Sequence, residues 1–419
     1  MYTPIIDPKR LMHNLNMFSE IGRGDWKGIN RSFGDDSELK AREYIISYWK
    51  DKLALDVAVD AAGNIWGSRG KVTEPPIVFG SHHDAVKNGG AYDGALGVWL
   101  ATEVMETVIE NDIKLSKPFV IVSFTGEEPN AYGVSTLGSK ILSGRVTQNE
   151  LYQFHSDKES LADALARAGG NIDVCSEAQL KKDCFYAFVE CHIEQGKRLA
   201  SMNKALAAVS EITGIYREKI KVKGTANHAG TTIMSDRHDA LCATSELIVF
   251  FEKIMSQNNS ALLAGTIGQL NILPNSVNII PEEAEFIAEI RTPDRTVLQE
   301  KLYALSNKAD EISQRRGVEI IRETILDQPA SKMNESVCDV IYKGIEQIGE
   351  SPVKLISMAG HDAANIAMVC PSAMLFVRSP NGKSHCSDEE IYESDAEKAG
   401  NALINILIKL DKEATDNEQ

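Results

Sequence analysis

The chain carries three kinds of hydrophobic pattern. Ile77-Val78-Phe79, Pro118 to Phe124, Phe185 to Glu190 and Ala373 to Val377 are near-continuous apolar runs and read as strands buried on both faces. Asn64-Ile65-Trp66 reads as a further short strand. Between them lie stretches with apolar residues at helical spacing. Ser37 to Trp49 is one, with Leu39, Tyr44, Ile45 and Tyr48 on one face, and Leu96 to Ile109 is another. Strands alternating with helices predict an α/β fold, a mainly parallel sheet with helices on both faces.

The pattern changes from about Gly214 to Leu326. Lys219-Ile220-Lys221-Val222-Lys223 alternates polar and apolar, as does Glu283 to Ile290, so each predicts a strand with one exposed face. His238 to Ile254 and Thr296 to Arg315 read as helices, and Val318 to Ile321 as another strand. This order predicts an inserted α+β, ferredoxin-like lid domain at residues 214–327. The sheet domain is then discontinuous, at 1–213 and 328–419. The polar stretch from Asp411 to Gln419 predicts a frayed tail.

Composition narrows the function. The 419 residues carry a formal net charge of -16, which argues against nucleic acid or an anionic membrane as partner. An anionic small substrate, held by one or two local Arg, stays compatible with it. No apolar stretch has transmembrane length, and Met1-Tyr2-Thr3-Pro4 opens no signal peptide pattern, so the expected location is cytoplasmic. Seven scattered Cys, none in a CxxC pair, predict reduced thiols and no structural zinc site of that type.

The chemistry gathers at strand ends. Ile77-Val78-Phe79 leads into Gly80-Ser81-His82-His83-Asp84, with Asp93 in the following turn. Glu127-Glu128 follows the run ending at Phe124, His192 follows Glu190, and His385 follows Arg378. In open α/β sheets the carboxyl ends of strands form the ligand crevice. Imidazole and carboxylate together suit a pair of divalent ions such as zinc, manganese or cobalt. Of two neighbouring Glu, one can bind metal while the other stays free as a base. Asp84 is placed to accept the second imidazole N–H of His82 and orient the ring. His83 reads as structural or as a support behind the ligands. His13, His155 and His238 lack a ligand-type context, and Cys386 reads as a small pocket residue.

These motifs continue along the chain as His192-Ile193-Glu194-Gln195-Gly196, Asn227-His228-Ala229-Gly230-Thr231-Thr232, Pro274-Asn275-Ser276-Val277-Asn278, Gly360-His361-Asp362-Ala363 and Ser384-His385. Over nearly its whole length the chain resembles the two-metal amidohydrolases of the M20 metallopeptidase clan. Its nearest resemblance is to the branch of N-carbamoyl-L-amino acid hydrolases, β-ureidopropionases and allantoate amidohydrolases. The resemblance implies one ion held by His82 and His192, a second by Glu128 and His385, and Asp93 bridging them. It implies Glu127 as general base and His228 as the oxyanion-stabilising group. It assigns Asn278 and Arg291 to a substrate carboxylate, with Gln195 and His361 lining the same pocket. On the residues alone, a surface salt bridge between Arg291 and Asp294 is an equal reading. A homodimer paired through the lid is also implied, as is a small anionic ureido-acid substrate. The expected reaction is hydrolysis of an N-carbamoyl-L-amino acid to amino acid, ammonia and carbon dioxide. The alternatives are an allantoate amidohydrolase and, further off, a dipeptidase or a non-catalytic metal-binding protein. Ala85, Pro129 and Asn130 depart from the family pattern and bear on the substrate.

Overall fold

The computed structural model describes residues 4–24, 27–257 and 260–417. Met1 to Thr3, in the stretch read for a signal peptide, and Glu418-Gln419, in the stretch read as a tail, lie outside the described residues. The chain forms two compact units, Met1–Ser210 with Lys332–Gln419, and Glu211–Ser331.

The first unit is built on a large mixed sheet. Four parallel strands occupy its centre, in the order Ser372–Val377, Ala187–Ile193, Ile77–His82 and Phe119–Phe124. Every residue of these four strands is buried. That is why they appear in the sequence as unbroken apolar runs. The flanks are antiparallel. Ile65–Ser68 and Asp56–Val59 extend the sheet beyond Phe119–Phe124, and Leu206–Ile212 pairs with Ser372–Val377.

Helix Ala95–Glu110 packs onto the centre of the sheet. Gly97 allows this close approach, since a Cβ there would lie 2.0 Å from Cys191 O. Two boundaries differ from the sequence reading. The central strand read as Phe185 to Glu190 runs Ala187–Ile193, so His192 lies inside it, held by ladder pairing to Phe376. The expected tail is instead the end of helix Glu393–Asn417. The stripe Leu403, Leu407, Leu410 and Ala414 is buried and carries the helix past Asp411.

His83 is structural, as its sequence context suggested. It is fully buried, with Nδ1 2.8 Å from Ser123 Oγ and Nε2 2.8 Å from Glu38 Oε1. Arg42 Nη1 reaches the same Glu38 oxygen at 3.3 Å. Burial pulls the His83 pKa down, against the pull of Glu38.

The second unit has strand–helix–strand–strand–helix–strand order. Its four antiparallel strands lie in the spatial order Ala264–Leu273, Glu283–Thr292, Gly214–Lys223, Glu319–Gln328. Second–third–first–fourth is the ferredoxin-like arrangement. Helices Ala240–Ser256 and Arg295–Arg316 cover one face, where Ile220, Val222, Leu247, Phe251, Phe286 and Ile312 form the core. Strict alternation of burial along Glu283–Thr292 matches the alternating sequence. On the other face, Arg217 pairs with Glu289 at 2.6 Å and Lys221 with Glu283 at 2.9 Å.

Among the described residues, no helix is long and apolar enough to cross a membrane.

Candidate metal centre

The four central strands are parallel, so their carboxyl ends emerge on one side. His82 is the last residue of its strand, and His192 is one residue from the end of the next. Phe119–Phe124 leads into Glu127-Glu128, and Ser372–Val377 into the segment bearing His385. Asp93 sits in the turn before helix Ala95–Glu110. Gly94 follows it with φ +63°, and a Cβ there would lie 2.3 Å from the His82 ring. Only glycine allows the turn to bring Asp93 this close to His82.

Two sets of ligand atoms share Asp93. Its Oδ1 lies 3.4 Å from His82 Nε2 and 3.1 Å from His192 Nε2, and these two nitrogens are 3.3 Å apart. Its Oδ2 lies 3.4 Å from His385 Nε2, which is 3.0 Å from Glu128 Oε1. Glu127 stands at the edge of the first set, Oε2 3.8 Å from His82 Nε2.

The donor chemistry fits cations. His82 Nδ1 lies 3.2 Å from the carbonyl of Asp84, and His192 Nδ1 lies 2.9 Å from that of Ile193. A carbonyl only accepts, so in each neutral ring Nδ1 carries the proton and Nε2 presents a lone pair. Two imidazole lone pairs and a carboxylate oxygen then converge within 3.4 Å, an arrangement that a metal ion resolves. In the second set, Glu128 Oε1 is buried, and among the described residues no hydrogen-bond donor is aligned to it.

The titration properties follow from burial and crowding. Burial pushes the Glu127 carboxyl well above the usual carboxylate range, and Glu128 and Asp362 add to the rise against His82. Asp93 goes the other way. Burial opposes its charge, but His192, His385 and His82 together hold it well below the usual range. The carboxylates of Asp93 first and Glu128 next push the His385 imidazole up to about 11.

A second layer fixes this geometry. Asp84 takes the backbone N–H of Glu127 at 3.1 Å on Oδ1 and that of Glu128 at 3.0 Å on Oδ2. This amends the expected role of Asp84. Its carboxylate ties two strand ends together, and its main-chain carbonyl is the atom nearest His82 Nδ1, with Oδ1 further off at 3.4 Å. Gln195, expected on a substrate, instead donates Nε2–H to Asp93 Oδ2 at 2.7 Å. His361 is buried against His192, ring centroids 4.5 Å apart, with Nε2 2.8 Å from Ser357 Oγ.

The remaining substrate candidates belong to the second unit. Segment 227–229 runs beside 278–280, with Ala229 N bonded to Asn278 O at 3.0 Å, so the backbone joins His228 to Asn278. His228 is exposed, and its Nδ1 accepts from Gly230 N at 3.0 Å. Arg291 lies within strand Glu283–Thr292, with Nε donating to Glu289 Oε1 at 2.7 Å. Glu289 and Arg291, two apart in a strand, share a face and pair there. Asp294 caps the next helix.

Sequence reasoning missed Glu389. It is buried, and its Oε1 accepts the backbone N–H of Tyr92 at 2.8 Å and of Asp93 at 3.0 Å. Ser384 Oγ bridges it to the centre, 2.8 Å from Glu389 Oε2 and 2.7 Å from Asp93 Oδ2. Gly90 is the signal that points to it, since a Cβ there would lie 2.0 Å from the Glu389 carboxyl.

Fold and ligand set together define a class. Residues 78–409 match Peptidase family M20/M25/M40, and the chain belongs to that family of metal-dependent hydrolases. It is 32% identical over 409 residues to an N-carbamoyl-L-amino acid amidohydrolase of Geobacillus stearothermophilus, spanning 97% of this chain and 99% of that protein. It is 30% identical to allantoate deiminase 1 of Glycine max, spanning 93% of this chain and 88% of that one. The crystal structure of a hydantoinase/carbamoylase family amidase from Burkholderia multivorans superposes with a TM-score of 0.84 at 28% identity, covering 97% and 98% of the two chains.

Proposed function

We propose that this protein is a two-metal amidohydrolase that cleaves the carbamoyl C–N bond of an N-carbamoyl-L-amino acid. The observation that carries the proposal is Asp93. Its two oxygens each face a separate pair of ligand atoms, and Glu127 stands beside the first pair with a raised carboxyl pKa. His82, His192 and Asp93 would hold one ion, and Asp93, Glu128 and His385 the other. When bound, divalent cations lower the pKa of water and neutralise developing negative charge. Glu127 takes the proton of the attacking water and delivers it to the leaving nitrogen. One water converts the substrate to amino acid, ammonia and carbon dioxide.

His228 supplies a hydrogen bond to the oxygen that gains charge, and Arg291 with Asn278 holds the substrate carboxylate. These three come from the second unit, acting within one chain or from a homodimer paired through that unit. Gln195 and His361 complete the surround of Asp93 and His192. The Geobacillus relative supports the carbamoyl amino acid reading. The Glycine max relative supports a second one, in which the same residues act on allantoate.

The test is ammonia release from N-carbamoyl-L-amino acids, ureidopropionate and allantoate, beside amino-acid release from a dipeptide panel. The enzyme is first stripped by chelation, then reloaded with zinc, manganese or cobalt. Fastest release from a carbamoyl amino acid is expected. Release from allantoate alone moves the assignment to the second reading, and turnover of dipeptides alone overturns both.

A further inference from the structure

Cys184 and Cys370 face each other across the amino-terminal end of the central sheet, far in sequence and 3.5 Å apart between sulfurs. The backbone around them is already joined. Asp183 N donates to Val369 O at 2.7 Å and Phe188 N to Pro371 O at 2.8 Å, on either side of the pair. These bonds lead into the parallel ladder between Ala187–Ile193 and Ser372–Val377. Phe185 N–H points at Cys370 Sγ, 3.4 Å away. The remaining cysteines have no such partner among the described residues, although all seven are free thiols.

We infer that Cys184 and Cys370 form a redox-active dithiol that a disulfide oxidant closes into an intrachain disulfide. A disulfide needs sulfurs about 2.05 Å apart, so the pair must close by roughly 1.5 Å. The flanking backbone hydrogen bonds already hold the two segments side by side.

The two sulfurs differ in a way that sets the order of events. Cys184 is half-buried and lines an apolar groove of about 730 Å³ with Val57, Trp66, Leu180 and Phe185. An oxidant the size of glutathione disulfide can reach it there. Cys370 is buried, its sulfur accepts the Phe185 N–H, and either thiol of the pair can donate to the other. The contact between the two thiols lowers the Cys370 pKa and raises that of Cys184.

The Cys184 thiolate attacks one sulfur of glutathione disulfide and expels the first glutathione. Cys370, still facing the Phe185 N–H, then attacks Cys184 Sγ as the thiolate and expels the second glutathione. Two protein thiols are oxidised, one glutathione disulfide is reduced, and the two thiol protons leave on the two glutathiones. The cross-link lies at the end of the sheet opposite the metal ligands. It therefore tethers two central strands without disturbing the ligand set.

The experiment is titration of the metal-loaded enzyme with glutathione disulfide, followed by peptide mapping without reductant. The expected result is a Cys184–Cys370 cross-linked peptide, reversed by dithiothreitol, with Cys175, Cys191 and Cys338 still free. Tm should rise by a few degrees, and activity should stay within twofold. C370S should stop at a persistent glutathione adduct on Cys184, since the resolving thiol is gone. C184S should give no cross-link. If wild type accumulates adducts at the exposed Cys242 and no Cys184–Cys370 peptide, the inference fails. A stable adduct on Cys184 with Cys370 intact overturns it equally.

Discussion

Glu389 Oε1 accepts the backbone N–H of Asp93 at 3.0 Å, so an acid outside the ligand set holds the residue shared by both candidate metal positions. The other Glu389 oxygen and Asp93 Oδ2 both lie within 2.8 Å of the Ser384 hydroxyl. One hydroxyl has one hydrogen and cannot donate to two carboxylates. The arrangement closes if Glu389 is protonated, donating to Ser384, which donates to Asp93. Burial first, and then the charge of Asp93, push the Glu389 pKa up to about 7, in the direction this requires. E389Q keeps a donor on one side and an acceptor on the other, so its metal affinity should stay within about threefold of wild type. E389A removes both and should weaken binding by about 10-fold or more. Calorimetric titration with manganese or zinc measures both, and equal losses in the two variants would refute the protonated form.

Metal loading should release a proton from His385. In the metal-free protein Asp93 and Glu128 push this imidazole up to about 11. Its folded pKa thus lies above the ordinary value of about 6.5. The resulting stability is full below that ordinary value and is lost as pH rises through about 11. At neutral pH an incoming cation must displace the proton, so apparent affinity should rise with pH, up to about tenfold per unit for one proton. Calorimetry in buffers of different ionisation enthalpy counts the protons. Binding that releases none, with an affinity flat between pH 6 and 8, sinks this prediction.

Glu127 is adjacent to a ligand without sharing its position, 3.8 Å from His82 Nε2. E127Q preserves the side-chain volume and removes the base. We expect kcat to fall by about 10²- to 10⁴-fold. Metal content, measured by atomic emission after desalting, should match wild type. An E127Q enzyme that retains normal turnover would exclude Glu127 as the base.

The parts of this architecture legible in the sequence share one property: a single physical demand set the residue pattern. Four strands buried on both faces had to be continuous and apolar, and their carboxyl ends had to carry the polar groups that converge. Strand Ala264–Leu273 left no such trace. It lies at the sheet edge with most residues exposed, and it contains Gly265 and Gly268. Glu389 was hidden for a different reason. It sits in the run Asp388-Glu389-Glu390, where nothing in the residue types separates the buried acid from its two exposed neighbours. The partner of Gln195 was unreadable because the pair lies 102 residues apart and joins two different strand ends.

Arg291 offers a test of the substrate end. Its Nε is engaged with Glu289, which also takes Arg217 Nε at 2.6 Å, so Glu289 keeps one arginine when the other is removed. If Arg291 holds a substrate carboxylate, R291A should raise KM by about 10-fold or more and change kcat little. The carboxamide analogue provides the control. Wild type should discriminate strongly against it, and R291A should not. Equal KM effects on acid and amide would place Arg291 in the fold only.

The last prediction concerns the buried charges behind His83. Arg42 and Glu38 are both buried, and among the described residues Glu38 Oε2 has no hydrogen-bond partner. Arg42 also donates to Thr125 Oγ1 at 3.0 Å and to the carbonyl of Gly63. Removing one member of a buried pair strands the other charge, at a cost of about 3–5 kcal/mol. R42M should therefore destabilise the protein by about that amount in urea unfolding. E38Q/R42M removes both charges and should recover part of the loss. The difference between single and double variants isolates the charge effect from the lost hydrogen bonds. A double variant no more stable than R42M would show that the lost bonds to Thr125 and Gly63, common to both variants, and not the stranded charge, account for the loss.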